Sequence, residues 1–203
     1  MSILVMQKVK LSIDCSGQNA SFVFTDQNNK PVSDLLYDSS DRLLFKALPS
    51  ALKENNIAIE NIDLIAWGQG PGSFTGIRIC ATWLQSLAYT HQIKVVPICS
   101  LCARAQQYIE KNCITNGTFS AHLSANRVYD YFGQWTISDG LVMSMKPVSV
   151  INKDELNTSD IDLGPYEPTA LNVHQLSSSL EDNALRHVTA FEIRPNYLFD
   201  HFS

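Results

Sequence analysis

Ile62-Asp63-Leu64-Ile65-Ala66-Trp67-Gly68-Gln69-Gly70-Pro71-Gly72-Ser73-Phe74-Thr75-Gly76-Ile77-Arg78 sets an apolar run against a glycine-rich turn and the start of a helical pattern. Ile62 to Trp67 reads as a buried strand. Ile77, Ala81, Leu84, Leu87 and Ala88 recur at helical spacing and predict a helix over 75–90. Glycine lets a backbone approach closely, and a following helix N-terminus offers free N–H donors. Such a loop can bind an anion. This one matches neither common phosphate pattern. Gly76 is followed by Ile77 where a P-loop needs Lys, and Ser73 stands where a dinucleotide fingerprint needs its third glycine. Two readings remain. In one the loop holds phosphate, helped by Ser73, Thr75 and Arg78. In the other Gly70, Gly72 and Gly76 make a tight strand-to-helix turn capped by Ser73 or Thr75. Pro71, with no N–H to donate, favours the turn.

Upstream of this unit the period is two. Val9, Leu11 and Ile13 alternate with polar residues, as do Phe22 and Phe24 with Val23 and Thr25. With a third strand over 32–36 they form an antiparallel meander. Leu43, Leu44, Ala47, Leu48, Ala51 and Leu52 then predict a helix, with Ser39, Ser40 and Asp41 as cap candidates and a kink at Pro49. Downstream, 93–98 reads as a strand, and Ser100 is the cap of a helix that runs to Lys111. The order β-β-β-α-β-α-β-α implies an α/β fold, its meander extended by parallel strands and covered by helices. Beyond Asn112 the pattern loosens. Strands are expected at 118–123, 128–136 and 141–145, and a short helix near 173–180. Two lobes follow, 1–111 and a reduced second lobe over 112–203.

Composition excludes several classes. The 203 residues are 45% hydrophobic and 17% charged, which is globular. Fifteen Lys+Arg against 20 Asp+Glu give a net charge of -5, with no basic patch for phosphates, so direct tRNA binding is not expected. No apolar run long enough to span a membrane occurs, and 1–10 lacks the pattern of a secretory signal, so a cytoplasmic address is expected. The five cysteines are too scattered for a secreted disulfide framework. Cys99-Ser100-Leu101-Cys102 has redox spacing but lacks the Trp or Pro-Gly of a thioredoxin-like motif, so structural thiols are expected. The five histidines show no i, i+4 pair on one helix, so no metal is expected. Asp14 ends the first strand beside Ser16 and Gly17. It can face a magnesium-bound nucleotide or close a turn onto the backbone two residues on, and no second carboxylate motif lies nearby in sequence. No Gly-x-Ser-x-Gly elbow occurs.

Gly70-Pro71-Gly72-Ser73-Phe74-Thr75-Gly76-Ile77-Arg78 resembles the signature of TsaB-like (YeaZ-like) proteins of bacterial threonylcarbamoyladenosine biosynthesis in tRNA. Ile13-Asp14-Cys15-Ser16 is similar to that family's strand-one motif, and Pro195-Asn196-Tyr197-Leu198 to its C-terminal ending. The element order resembles the ribonuclease-H-like lobe of the actin, sugar-kinase and Hsp70 superfamily. Departures occur as well. Ser124-Ala125-Asn126 stands where the family usually has Asp-Ala-Arg, Phe199 where an Arg often follows the closing Tyr-Leu, and Cys80 where a small Gly follows the loop's Arg-Ile. The resemblance implies a non-catalytic subunit that binds and activates a TsaD-like catalytic partner, together with a TsaE-like ATPase, in threonylcarbamoyl transfer to tRNA adenosine. It implies a homodimer when the chain is alone, no tightly bound cofactor, and nucleotide only at the complex interface. It implies a helical bundle with the partner, for which Leu43, Leu44, Ala47, Ile77, Ala81 and Leu84 are the interface candidates. The alternative on the same fold is an ATP-dependent phosphotransferase of the sugar- or acetate-kinase kind.

Overall fold

The computed structural model describes residues 9–25, 31–37, 40, 43–179 and 187–198, with side chains of 32–37 and 43 left aside. The first sheet runs in the order β3-β2-β1-β4-β5. Its strands are β1 (Val9–Asp14), β2 (Ala20–Thr25), β3 (Pro31–Tyr37), β4 (Ile62–Gly68) and β5 (Lys94–Ile98). Strand β2 is antiparallel to β1 and β3, while β4 lies parallel to both β1 and β5. This is the meander with a parallel extension expected from the element order.

Strand alternation assigns one set of side chains to each face of this sheet. Leu11, Ile13, Phe22, Phe24, Ile65, Trp67 and Val95 point to one face, against Leu44, Leu48, Leu52, Ile77 and Leu84 of the helices that cover it. The first of these helices is a π-helical turn, Leu43–Ala47, running into α1 (Leu48–Glu54). The helix is therefore not an α-helix kinked at Pro49. The α-helical part begins next to Pro49, in a first turn where a missing N–H leaves no bond unmade. Helix α2 (Phe74–His91) follows the glycine loop and ends on Gln92 in the left-handed conformation (φ 55).

The opposite face carries Ala66, Val96 and Ile98. Helix α3 (Ser100–Lys111) covers it with Leu101, Ala105 and Ile109, and these pack onward against Ala121, Trp135, Ile137 and Val142 of the second sheet. That sheet has the order β10-β6-β7-β8, with β9 also on β7. Its strands are β6 (Gly117–Ser124), β7 (Tyr129–Ser138), β8 (Leu141–Ser144), β9 (Ser149–Asn152) and β10 (Ile161–Asp162). The expected strands at 118–123, 128–136 and 141–145 correspond to the first three of these, and the short β9 and β10 were not legible.

The last part of the chain leaves the second sheet. Helix α4 (Ala170–Ser179) packs on the first sheet, where Ala170 N donates to Ser21 Oγ at 2.7 Å and Lys10 Nζ to Ser178 Oγ at 2.7 Å. Val188 N then donates to Val95 O at 2.8 Å and Asn196 N to Gln69 O at 2.8 Å. Residues 170–179 and 187–198 therefore rejoin the first lobe across the expected division at 111/112.

Candidate functional site

The glycine loop lies at the C-terminal ends of β4 and β5. Four of its amides have partners within the chain. Gln69 N donates to Ile98 O at 3.0 Å, Gly70 N to Ser100 Oγ at 2.9 Å, Ser73 N to Ser16 O at 2.7 Å, and Gly76 N to Ser73 Oγ at 3.3 Å. Ser73 is thus the N-cap of α2, and Pro71 has no N–H to offer. The glycines are required by close backbone approach. A Cβ on Gly72 would lie 2.3 Å from Ser16 O, and one on Gly76 2.2 Å from Cys15 O. Thr75 and Arg78 are exposed, and the Arg78 guanidinium lies over the Phe74 ring at 4.9 Å. Ser100, expected to cap α3, is its first residue instead; Cys99 is the N-cap, and Ser100 Oγ serves the loop.

Asp14 ends β1 directly beneath this loop. Its Oδ1 accepts from Ser16 N at 2.9 Å and from Ser16 Oγ at 3.0 Å, a side-chain turn of the Asx kind. The carboxyl group is 1% exposed, and burial pushes its pKa up to about 6 against the Ser16 hydrogen bonds. A Cβ on Gly68 would meet Asp14 Oδ2 at 2.0 Å, so glycine is what lets β4 pass this carboxylate.

Two charged residues absent from the sequence reading act on Asp14. Glu167 raises its pKa and Arg104 lowers it. Glu167 Oε2 accepts from Gln18 N at 2.9 Å, across the turn that follows β1. Arg104, buried on α3, donates through Nη1 to Tyr166 O at 2.7 Å. Nothing in the sequence placed Glu167, which lies in an irregular stretch 153 positions after Asp14. Arg104 sits between Ala103 and Ala105 on the inward face of α3, where a charge in an apolar pattern was the one available sign. Among the described residues no group of three or more His, Cys, Asp or Glu side chains is placed to hold a metal.

The helix residues expected at a partner surface lie elsewhere. Leu44 and Leu84 are 0% exposed, and Ile77 and Ala81 are equally part of the chain's own core. A side chain already removed from water has no further apolar area to bury, so these four are corrected to core residues. Ala47 is half-buried against the same core, and the Leu43 side chain lies outside the described residues. The outward faces of the two helices carry Phe45 (62% exposed), Phe74 (59%) and Tyr89 (64%) instead. A groove of about 630 Å³ beside α2 is lined by Phe74, Arg78, Thr82, Gln85, Tyr131 and Tyr197, with Ile193 to Pro195 along one side.

The departures at Ser124 and Asn126 have local roles. Asn126 Oδ1 accepts from Val128 N at 2.8 Å and Tyr129 N at 2.9 Å, closing the β6–β7 turn, and Ser124 Oγ accepts from Lys153 Nζ at 2.8 Å. Phe199 lies outside the described residues.

Comparison with known proteins adds to this geometry. The family model for TsaD, tRNA N6-adenosine threonylcarbamoyltransferase, matches residues 38–134. The tRNA threonylcarbamoyladenosine biosynthesis protein TsaB of Haemophilus influenzae is 28% identical over 120 residues, 59% of this chain and 51% of that protein. TsaB of Escherichia coli is 31% identical over 78 residues, 38% of this chain and 34% of that one. The chain thus spans about half the length, or less, of these curated relatives. YeaZ from Pseudomonas aeruginosa shares the fold, with a TM-score of 0.80 at 20% identity over 95% of this chain and 100% of that one.

Proposed function

We propose, for a chain that is TsaB/YeaZ-like in sequence and in fold, that it is a non-catalytic subunit in the biosynthesis of threonylcarbamoyladenosine in tRNA. In this reading it binds and activates a TsaD-like catalytic subunit, works with a TsaE-like ATPase, and acts in the cytoplasm. The observation that carries the assignment is the sequence likeness to TsaB proteins over 59% of the chain. The non-catalytic part is supported by the loop. Its amides at Gln69, Gly70, Ser73 and Gly76 are paired within the chain, and Asp14 is turned onto Ser16. A phosphotransferase of the kinase kind needs such donors directed at nucleotide phosphates. Any nucleotide is proposed to bind only where the partner completes a site, and the chain alone is proposed to pair with a second copy.

The partner surface is proposed on the outward faces of the π-helical turn and α2, around Phe45, Phe74 and Tyr89. Exposed aromatics of this kind are frequent interface anchors. The acidic balance of the chain leaves the tRNA to its partner.

Reconstituted transfer of the threonylcarbamoyl group to tRNA tests this reading, with and without the chain, beside TsaD-like and TsaE-like proteins. Modification is expected only when the chain is present, and none is expected from the chain alone. Modification at full rate without it would overturn the proposal. So would ATP turnover by the pure chain that Asp14→Asn abolishes.

A further inference from the structure

Cys99 and Cys102 lie one turn apart at the start of α3. Cys99 is the N-cap residue, in extended conformation (φ -64, ψ 120), and Cys102 is the third residue of the helix. The N-cap and third positions of a helix start lie on the same side of its first turn, so the two cysteines face one another there. The amides of Leu101 and Cys102 point the same way, without closing a full cap hydrogen bond. Both thiols are free and both keep partial exposure. Trp135 Nε1 donates to Cys102 Sγ at 3.3 Å, fixing the second sulfur from the far side.

We infer that Cys99 and Cys102 form a redox-active dithiol that closes reversibly to an intrachain disulfide by exchange with a small-molecule disulfide. A thiolate at a helix N-terminus is favoured by the free amides and the positive end of the helix dipole. The two partners are also held unequally. Cys99 is drawn below the ordinary thiol range, first by the Cys102 thiol and then by the backbone amides, while Cys102 is pushed well above it by the same contact and by burial. Cys99 is therefore the attacking sulfur and Cys102 the resolving one.

The exchange balances in two steps. The Cys99 thiolate attacks one sulfur of the disulfide RSSR, forming a mixed disulfide and releasing RS⁻. The Cys102 proton then passes to that thiolate, and Cys102 sulfur attacks Cys99 sulfur and displaces the second RS⁻. Two protein thiols are oxidised and one small disulfide is reduced to two thiols. The consequence reaches the loop, because Ser100, between the two cysteines, exchanges hydrogen bonds with both Gly70 N and Gly70 O.

Another thiol pair in the chain marks the contrast. Cys15 and Cys80 are also in contact, but each is 1% exposed and Cys80 is pushed well above its ordinary range. Lacking access for an attacking reagent, that pair is inert. The inference departs from the sequence expectation of structural thiols at Cys99 and Cys102.

The test uses the full, reduced chain, pulsed with iodoacetamide at pH 6.5, with labelled sites mapped by peptide mass spectrometry. Exposed Cys113 serves as the internal standard. Cys99 is expected to label faster than Cys113, as a thiol favoured as thiolate at a helix N-terminus does. Oxidised glutathione is expected to give a bond mapped to Cys99 and Cys102 that dithiothreitol reverses. The Cys102→Ser variant is expected to stop with one glutathione on Cys99. Labelling of Cys99 no faster than Cys113 would overturn the inference. So would glutathione carried by Cys113 alone while Cys99 and Cys102 still titrate as free thiols.

Discussion

Burial shifts Asp14 and His174 in opposite directions, and each makes a prediction with its own sign. Asp14 titrates near 6 in the fold because it is buried, against 3.8 for an ordinary Asp. The folded protein therefore holds this proton more tightly than the unfolded chain. Its contribution is fully present below about 3.8 and is lost as pH rises through 6, amounting to about 3 kcal/mol. Asp14→Asn, isosteric and uncharged, is expected to raise the melting temperature at pH 7.5 and to leave it nearly unchanged at pH 4. A lower melting temperature for the variant at pH 7.5 would contradict this. His174 behaves in the opposite way. It is 9% exposed, lies 3.3 Å from Ser12 Oγ through Nδ1, and burial lowers its pKa to about 4 from 6.5, with Lys10 adding to the effect. Here the unfolded chain binds the proton first, so stability falls as pH drops from 6.5 toward 4. In urea melts, His174→Gln is expected to flatten this acid limb. An unchanged limb would mean that His174 is solvated in the fold. The sequence named Asp14 and its turn, because an Asx turn is a local event. It gave no sign of Glu167 or the depressed His174, since each depends on a partner more than 150 residues away, and of Arg104 only a charge within an apolar pattern.

At the scale of elements, the loop and the two helices that flank it in sequence divide what was legible from what was not. Strand, turn and helix could be placed from period and glycine content. The reason for the glycines could not, because it lies in the carbonyls of Cys15 and Ser16, in the turn that follows β1. Gly76→Val is therefore expected to destabilise by at least about 2 kcal/mol, since the side chain would be driven into a backbone oxygen. Ser73→Ala removes only a cap with a 3.3 Å contact and is expected to cost about 1 kcal/mol or less. Equal melting temperatures for both variants and the parent would count against a structural loop. The helices failed at a different step. Each apolar stripe was correctly located, but sequence does not say whether a stripe faces the chain's own sheet or a partner. Leu44→Arg is now expected to unfold the chain, because it buries an unpaired charge. Phe74→Glu, on a side chain 59% exposed, is expected to keep the circular dichroism spectrum and to weaken association in gel filtration. If both variants fold and associate like the parent, neither helix face carries the interface.

For the whole molecule, the expected division into two lobes meets a shared interior. Ala66, Val96 and Ile98 of the first sheet, Leu101 and Ile109 of α3, and Ala121, Trp135 and Val142 of the second sheet form one cluster. Helix α4 and the segment over 187–198 then return to the first sheet, and Ile193, 1% exposed, closes the other core. Sequence could not foresee this, because strands and helices read one by one carry no record of which sheet a returning segment joins. A layer shared by two sheets couples their unfolding, since neither can open without exposing the other's apolar face. One calorimetric transition is therefore expected, with calorimetric and van't Hoff enthalpies in agreement. Leu84→Ala removes packing under the first sheet only, and Trp135→Ala removes it under the second. Each is expected to cost roughly 3 kcal/mol or more and to move that same single transition. Separate transitions, each shifted by only one of the two variants, would mean that the sheets fold as independent units despite the cluster between them.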